Sequence, residues 1–355
     1  MATRAQRTAN SFAAKRSILG MGGLILGLHL LGWGGVAGLL SLASTPRLAG
    51  TTLGLCLTAY TLGMRHAFDA DHIAAIDNIT RKQLAEGERP VSVGFWFSLG
   101  HSTVVFTLVA LLAAGVRSIA DQLTEESSLT LQIAGTVGTV ISGAFLVLVG
   151  ILNLVVLRGI VGILRRLRDG SLHGSELEAQ LGQRGVASRL IGRATRAVTK
   201  PWHAYPLGLL FGLGFDTATE VGLLAVAAGA AVSLPWYAVL TLPVMFAAAM
   251  SLLDTVDGLL MCYAYGWANL RPVRRAYYNL AITGLSVAVA LVIGGIELAS
   301  VLAQKLGIES GPLAAMARIE LGDVGFIVVG LFALTWLVAI AIWRLGRAED
   351  RLGAP

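Results

Sequence analysis

Residues 51–76 read TTLGLCLTAYTLGMRHAFDADHIAAI, a segment that is apolar apart from one short polar run near its end. About 20 apolar residues cross the hydrocarbon core of a bilayer as a helix, so this segment is long enough to span a membrane. The polar run places two imidazoles and two carboxylates, those of His66, Asp69, Asp71 and His72, within seven residues. An ionisable side chain near the bilayer centre costs about 2.5 to 3.5 kcal/mol on insertion scales, so the run indicates a functional site.

The residue types of this run are typical of a transition-metal site. Imidazole and carboxylate ligands without a nearby thiolate suit nickel, cobalt, zinc, manganese or iron, whereas magnesium and calcium prefer oxygen ligands. At about 100° per residue on a straight helix, Asp71 would point away from the side shared by His66, Asp69 and His72. Either Asp71 serves another helix or an outer position, or the helix is broken here, as where unwound backbone lines a transporter cavity.

The composition of the whole chain predicts an all-α polytopic membrane protein. The 355 residues are 55% hydrophobic and 14% charged, and their mean hydropathy is +0.73. A soluble globular domain would carry more charge. We expect eight transmembrane helices, at approximately 18–42, 51–76, 93–115, 133–157, 205–229, 236–262, 277–297 and 323–343. The remaining segments are a disordered cytoplasmic tail (1–17), a basic cytoplasmic loop (158–204) between the two halves 18–157 and 205–343, and a second cytoplasmic tail (344–355).

The basic residues predict the orientation of these helices. With both termini in the cytoplasm, 22 Lys and Arg lie on cytoplasmic segments and only four on the opposite side. This asymmetry follows the positive-inside rule, so the net charge of +6 indicates membrane topology rather than nucleic-acid binding. Attraction to anionic lipid headgroups explains the basic loop. We expect a multi-pass protein of the cell (inner) membrane whose surroundings are the lipid bilayer.

Further ionisable residues lie in the third, fifth and sixth predicted spans and directly after the second. His101 stands in the stretch LGHST at 99–103 of the third span. In the fifth span, LGFDTATE at 213–220 places Asp216 and Glu220 four residues apart, and in the sixth, MSLLDTVDG at 250–258 places Asp254 and Asp257 three apart. Residues at these spacings share one face of a helix. Asp77 follows the first polar run, on the cytoplasmic side, as a step on an exit path or as an ordinary charge at the helix end.

Together these stretches resemble the nickel/cobalt transporter family. His66, Asp71 and His72 match its HX4DH signature, and the stretches of the third, fifth and sixth spans are similar to its LGHS, LGFDTATE and GMSLxDTxDG motifs. The resemblance implies eight membrane helices and uptake of Ni²⁺ or Co²⁺ as the transported substrate, without a prosthetic group. No G-x-x-x-x-G-K-[ST] loop occurs in the sequence, so this chain does not indicate an ATP-driven pump or an ATPase subunit.

We therefore expect a metal site formed by His66, Asp71 and His72, with Asp69 beside them. The residues that we expect to complete the shell, line the path or carry protons are His101, Asp77, Asp216, Glu220, Asp254 and Asp257. His29 in the first span is either bonded to a neighbouring helix or a secondary metal contact. Cys56 and Cys262 fall in predicted spans, where we expect buried thiols.

Alternative functions remain open from the residues alone. An exporter or a proton-coupled carrier of another divalent cation would need similar ligands. An intramembrane metalloenzyme would also need such ligands, although the sequence contains no His-Glu-x-x-His motif and no nucleophile beside a base. A weak internal similarity, between residues 68–70 and 215–217 and between 97–102 and 246–251, suggests that spans 2 to 4 and 5 to 7 form an inverted repeat, as in alternating-access carriers.

Overall fold

A computed structural model describes residues 4–85, 88–114, 129–169, 200–213, 218–268, 272–319, 321 and 324–345. These residues form helices connected by short segments, and no strand occurs among them. The twelve α-helices are α1 (Arg4–Leu42), α2 (Pro46–His66), α3 (Ala70–Ala85), α4 (Val93–Ala113), α5 (Leu129–Arg168), α6 (Ala204–Gly212), α7 (Ala218–Ser233), α8 (Trp236–Val239), α9 (Thr241–Ala268), α10 (Pro272–Leu306), α11 (Pro312–Ala317) and α12 (Val324–Leu345). A 3-10 turn at Pro201–His203 precedes α6.

Five described helices are long and apolar enough to cross a membrane, so the described part of the chain has the all-helical architecture of a polytopic membrane protein. Their apolar stretches are Lys15–Leu42, Val93–Ala113, Thr136–Gly159, Trp236–Ala264 and Leu280–Leu306, and shorter ones occur at Gly222–Ala231 and Val324–Val338. The predicted second span is divided between α2 and α3. The predicted fifth contains α6 and α7, and residues 214–217 between them lie outside the described residues. The count of eight spans stays a prediction.

The predicted second span is broken at its polar run. The helix α2 ends at His66, residues 67–69 form a turn, and α3 begins at Ala70. Within the turn, the N–H of Phe68 donates to the carbonyl of Arg65, 3.0 Å away, and the N–H of Asp69 donates to that of His66, 2.9 Å away. The break between α2 and α3 brings His66 and His72 together but does not add Asp71 to their group. The broken helix, one of the two alternatives drawn from the sequence, is thus observed, and Asp71 also lies outside the group.

Several helices extend beyond the predicted spans. Residues 4–17, expected to form a disordered tail, are the first turns of α1. The helix α5 continues through Arg168, so the start of the predicted basic loop is helical, and most of that loop (170–199) lies outside the described residues. Hydropathy marks where a chain is apolar, but a helix continues into polar sequence until a residue or a contact ends it.

The helix α9 lies at the centre of the packing. Its residues Met245, Phe246 and Met250 are fully buried, and it contacts α1, α2, α3 and α4. Two neighbours approach it closely because they present glycines. A Cβ at Gly63 of α2 would overlap the backbone of Phe246, and a Cβ at Gly94 of α4 would overlap the carbonyl of Asp254. Small residues of this kind let membrane helices pack backbone against backbone.

Two further helix pairs use the same kind of contact. Between α4 and α6, a Cβ at Gly100 would overlap the carbonyl of Tyr205, and a Cβ at Gly208 would overlap that of Phe97. Between α5 and α10, a Cβ at Gly294 would lie 2.8 Å from the carbonyl oxygen of Gly143. These glycine contacts fix the helices that surround the polar run at short distances.

Candidate metal centre

Three histidines from three consecutive helices meet in the interior. His66 ends α2, His72 lies in the first turn of α3 and His101 lies in α4, and each side chain is at most 2% exposed. One ring nitrogen from each can be chosen so that all three lie within 4.8 Å of one another. The ring centroids are 4.5 to 4.8 Å apart. We call this set the three-histidine group.

Two neighbours hold the ring of His66. Its Nδ1 is 2.8 Å from the hydroxyl of Thr219 at the start of α7 and also 2.8 Å from Oδ2 of Asp69. The Thr219 hydroxyl in turn hydrogen-bonds the Asp69 carboxyl. A carboxylate only accepts hydrogen bonds, so its position beside Nδ1 favours the tautomer with the proton on that atom. The lone pair of Nε2 then faces the other two histidines, which is the arrangement of a metal-ligating imidazole with an outer hydrogen-bond partner.

Glu220 closes the group on the side of α7. Its Oε1 is 2.5 Å from Nε2 of His101 and 3.9 Å from Nε2 of His66. The two Nε2 atoms of His66 and His101 are 2.9 Å apart. Two ring nitrogens at this distance form a hydrogen bond only when one of them carries a proton, and the carboxylate of Glu220 favours that proton on His101. Because a metal ion needs the lone pair of a neutral imidazole, coordination by His101 would require this proton to leave Nε2.

His72 faces α9 on the other side of the group. Its Nδ1 is 3.5 Å from Oδ2 of Asp254, a carboxylate that is fully buried. The ring packs edge-on against Phe97, with centroids 4.8 Å apart, and Phe246 packs on His66 at 5.5 Å. Aromatic side chains therefore form an apolar wall around the nitrogen atoms, which strengthens electrostatic interactions at the site.

The other predicted site residues occupy different places. Asp71 is half-buried and accepts the backbone N–H of His72 at 2.9 Å, and it is not a member of the three-histidine group. Asp77 is fully buried and accepts a hydrogen bond of 2.6 Å from Ser286 of α10. Asp257 is half-buried and within electrostatic range of Asp254 and Asp77. Asp216 lies outside the described residues.

Some residues of the site were not singled out from the sequence. Thr219 had a detectable signal, since it precedes Glu220 inside the recognised motif, but nothing local indicated a contact with His66. Ser286 is one hydroxyl in an apolar span and gives no signal at all. Glu297 of α10 is also buried, and it is not among the site residues expected from the sequence.

His29 has a structural explanation in the contacts around it. Its Nδ1 donates to the carbonyl of Ile25 at 2.9 Å, and its Nε2 is 3.2 Å from the Tyr60 hydroxyl of α2. The bond to a neighbouring helix is therefore observed. Both cysteines are buried, as expected.

Comparison with known proteins gives consistent matches. The model of a family described as high-affinity nickel-transport protein matches residues 52–342. Nickel transporter NicT of Mycobacterium tuberculosis is 54% identical over 331 residues, which cover 92% of this chain and 89% of that protein. Nickel transporter NixA of Staphylococcus aureus is 48% identical, over 84% of this chain and 87% of its own. Cobalt transport protein NhlF of Rhodococcus rhodochrous is 43% identical, over 92% of each chain. No solved structure matches.

Proposed function

Because the chain belongs to the family of high-affinity nickel-transport proteins, we propose that it is a secondary permease that carries Ni²⁺ or Co²⁺ into the cell. The observation that carries the proposal is the buried three-histidine group, which offers nitrogen ligands in an apolar surrounding. Relatives named as transporters of nickel and of cobalt support the substrate class. They do not favour an exporter, a carrier of another cation or a metalloenzyme.

The ligands of the proposed site come from the signature and from the helix that follows it. His66 and His72 supply nitrogens, and the short distance between the Nε2 atoms of His66 and His101 supports a third nitrogen from α4. For Asp69 and Asp71 we keep the proposal that they act as ligands or as partners of the histidines. Imidazole and carboxylate donors together suit the borderline ions Ni²⁺ and Co²⁺.

The acids beyond the group form the proposed path. Glu220 and Asp254 contact His101 and His72, and Asp257 and Asp77 continue along α9 and α3. Asp216 belongs to the same proposed path by its position in the motif. These carboxylates would exchange a divalent ion or protons between the site and the cytoplasm.

The proposed placement in the membrane has eight spans and cytoplasmic termini. The charge asymmetry supports this orientation, and the cell (inner) membrane is the proposed location. An inverted repeat of spans 2 to 4 and 5 to 7 is supported by the internal similarity of the sequence and by the division of the second span into α2 and α3. In such carriers the substrate site lies between the repeats, where helices are discontinuous.

The test is uptake of radiolabelled Ni²⁺ and Co²⁺ by cells without their own uptake system and by proteoliposomes. We expect wild-type protein to accumulate the metal inside, and His66→Ala and His72→Ala to abolish accumulation at unchanged membrane levels. His203→Ala removes a histidine outside the group and should transport normally. Full uptake by either group variant would refute the site, and metal release instead of accumulation would refute the direction.

A further inference from the structure

The N-terminal turn of α12 lies directly against the break between α2 and α3. A Cβ at Gly325 would overlap the carbonyl oxygen of Phe68 and would also lie 3.2 Å from the backbone nitrogen of Ala70. The next residue, Phe326, stacks on the ring of Phe68, with centroids 4.8 Å apart and an interplanar angle of 26°. The backbone and the side chain of α12 therefore both contact the turn.

The turn formed by residues 67–69 determines the geometry of the three-histidine group. It connects His66, the last residue of α2, to α3, which carries His72, and it contains Asp69, which lies beside the His66 ring. A shift of the turn would therefore move one histidine relative to the other. Metal ligands must be held within about 0.5 Å of their productive positions, so whatever supports the turn affects the site.

The backbone contact requires glycine at position 325. The atoms in the way of a side chain belong to the main chain of the turn, and main-chain atoms cannot rotate aside as the end of a flexible side chain can. Any larger residue would displace either α12 or the turn. By contrast, Gly330 of the same helix has nothing within 4 Å of the position of a Cβ. Contact with the turn therefore explains the glycine at position 325 but not the one at position 330.

We propose that Gly325 and Phe326 are a positioning pair that sets the turn at residues 67–69, and thereby the geometry and affinity of the metal site. The proposal rests on the transport function proposed above. It gives α12 a part in the site without any ligand of its own. The positioning pair acts through Phe68 and the backbone, so its loss should change metal coordination rather than only the amount of folded protein.

The first experiment compares Gly325→Ala with Gly330→Ala in purified, detergent-solubilised full-length protein. Co²⁺ is the probe, because its visible absorption reports ligand geometry, and its dissociation constant is measured by titration. We expect Gly325→Ala to shift the Co²⁺ absorption and to weaken binding about tenfold or more, the range found for outer partners of metal ligands. Gly330→Ala should match wild type in both measurements. Wild-type spectrum and affinity in the folded fraction of Gly325→Ala would overturn the proposal.

A second experiment remains decisive if Gly325→Ala fails to fold. Phe326 is 48% exposed, so Phe326→Leu removes the ring contact with little disturbance of the core. In a cycle with Phe68→Leu, each single change should weaken Co²⁺ binding at least about twofold, and the double variant should be no weaker than the singles. The proposal would be overturned if the two single effects on Co²⁺ binding multiplied in the double variant, or if neither single change weakened binding. If the wild-type protein neither bound nor transported metal, the proposed transport function would be refuted. If wild type bound metal and the variants bound it equally well, only the positioning pair would be refuted.

Discussion

The hydroxyl of Thr219 offers a sharp test of how the His66 ring is held. The substitution Thr219→Val keeps the shape of the side chain but removes the oxygen that lies 2.8 Å from Nδ1 and that also bonds Asp69. Each buried hydrogen bond contributes about 0.5 to 1.5 kcal/mol, so the two together amount to about 1 to 3 kcal/mol. Since every 1.4 kcal/mol is a factor of ten, we expect roughly 5- to 150-fold weaker binding of Ni²⁺.

The assay is equilibrium titration of purified protein with Ni²⁺, in parallel with the half-saturation concentration of uptake. Thr219→Ser is the matched control, because it keeps the hydroxyl and removes only the methyl group. It should bind Ni²⁺ within about threefold of wild type. The maximal uptake rate at saturating metal should change less than the half-saturation concentration. If Thr219→Val bound Ni²⁺ as tightly as Thr219→Ser, the hydroxyl would not orient His66, and the reasoning from its hydrogen bonds would be refuted.

Two further predictions concern packing and the path. Gly100→Ala places a methyl group against main-chain atoms, so it should lower the thermal unfolding midpoint of the purified protein. The control Gly54→Ala adds its methyl group in open space and should leave the midpoint within error of wild type. Equal midpoints for the two variants would contradict the close contact at Gly100. Ser286→Ala removes the hydrogen bond to Asp77 and should lower the uptake rate several-fold, while the affinity of the histidines for Ni²⁺ stays unchanged. An unaltered uptake rate would show that Asp77 is not part of the transport path.

The sequence indicated the residue types of the candidate site more directly than their assembly. His66 and His72 were identifiable because imidazoles are rare and expensive in apolar spans, and the angles around a helix indicated that a break was one solution. The membership of His101 in the group and the contact of Thr219 with His66 depend on how α4 and α7 pack. Thr219 and His66 are 153 residues apart, and no local pattern encodes a contact at that separation.

Helix limits were predicted less well for a related reason. Hydropathy reports where a chain can be surrounded by lipid, so it identified the apolar parts of α1 and α5 but not their polar continuations. The division of the second span could be argued from the spacing of its polar residues. The role of α12 could not, because Gly325 and Phe326 are ordinary residues of an apolar helix until the turn that they contact is known.

The glycine contacts described for the fold indicate which helices stay together and which can move relative to one another. Because α2 and α4 each meet α9 at a glycine whose Cβ would overlap backbone atoms, and α4 meets α6 likewise, we expect these four helices to move together as one body that carries His66 and His101. The helices α5 and α10 meet at Gly143 and Gly294, and we expect them to move as a second body. Any movement during transport should then occur between the two bodies rather than within them.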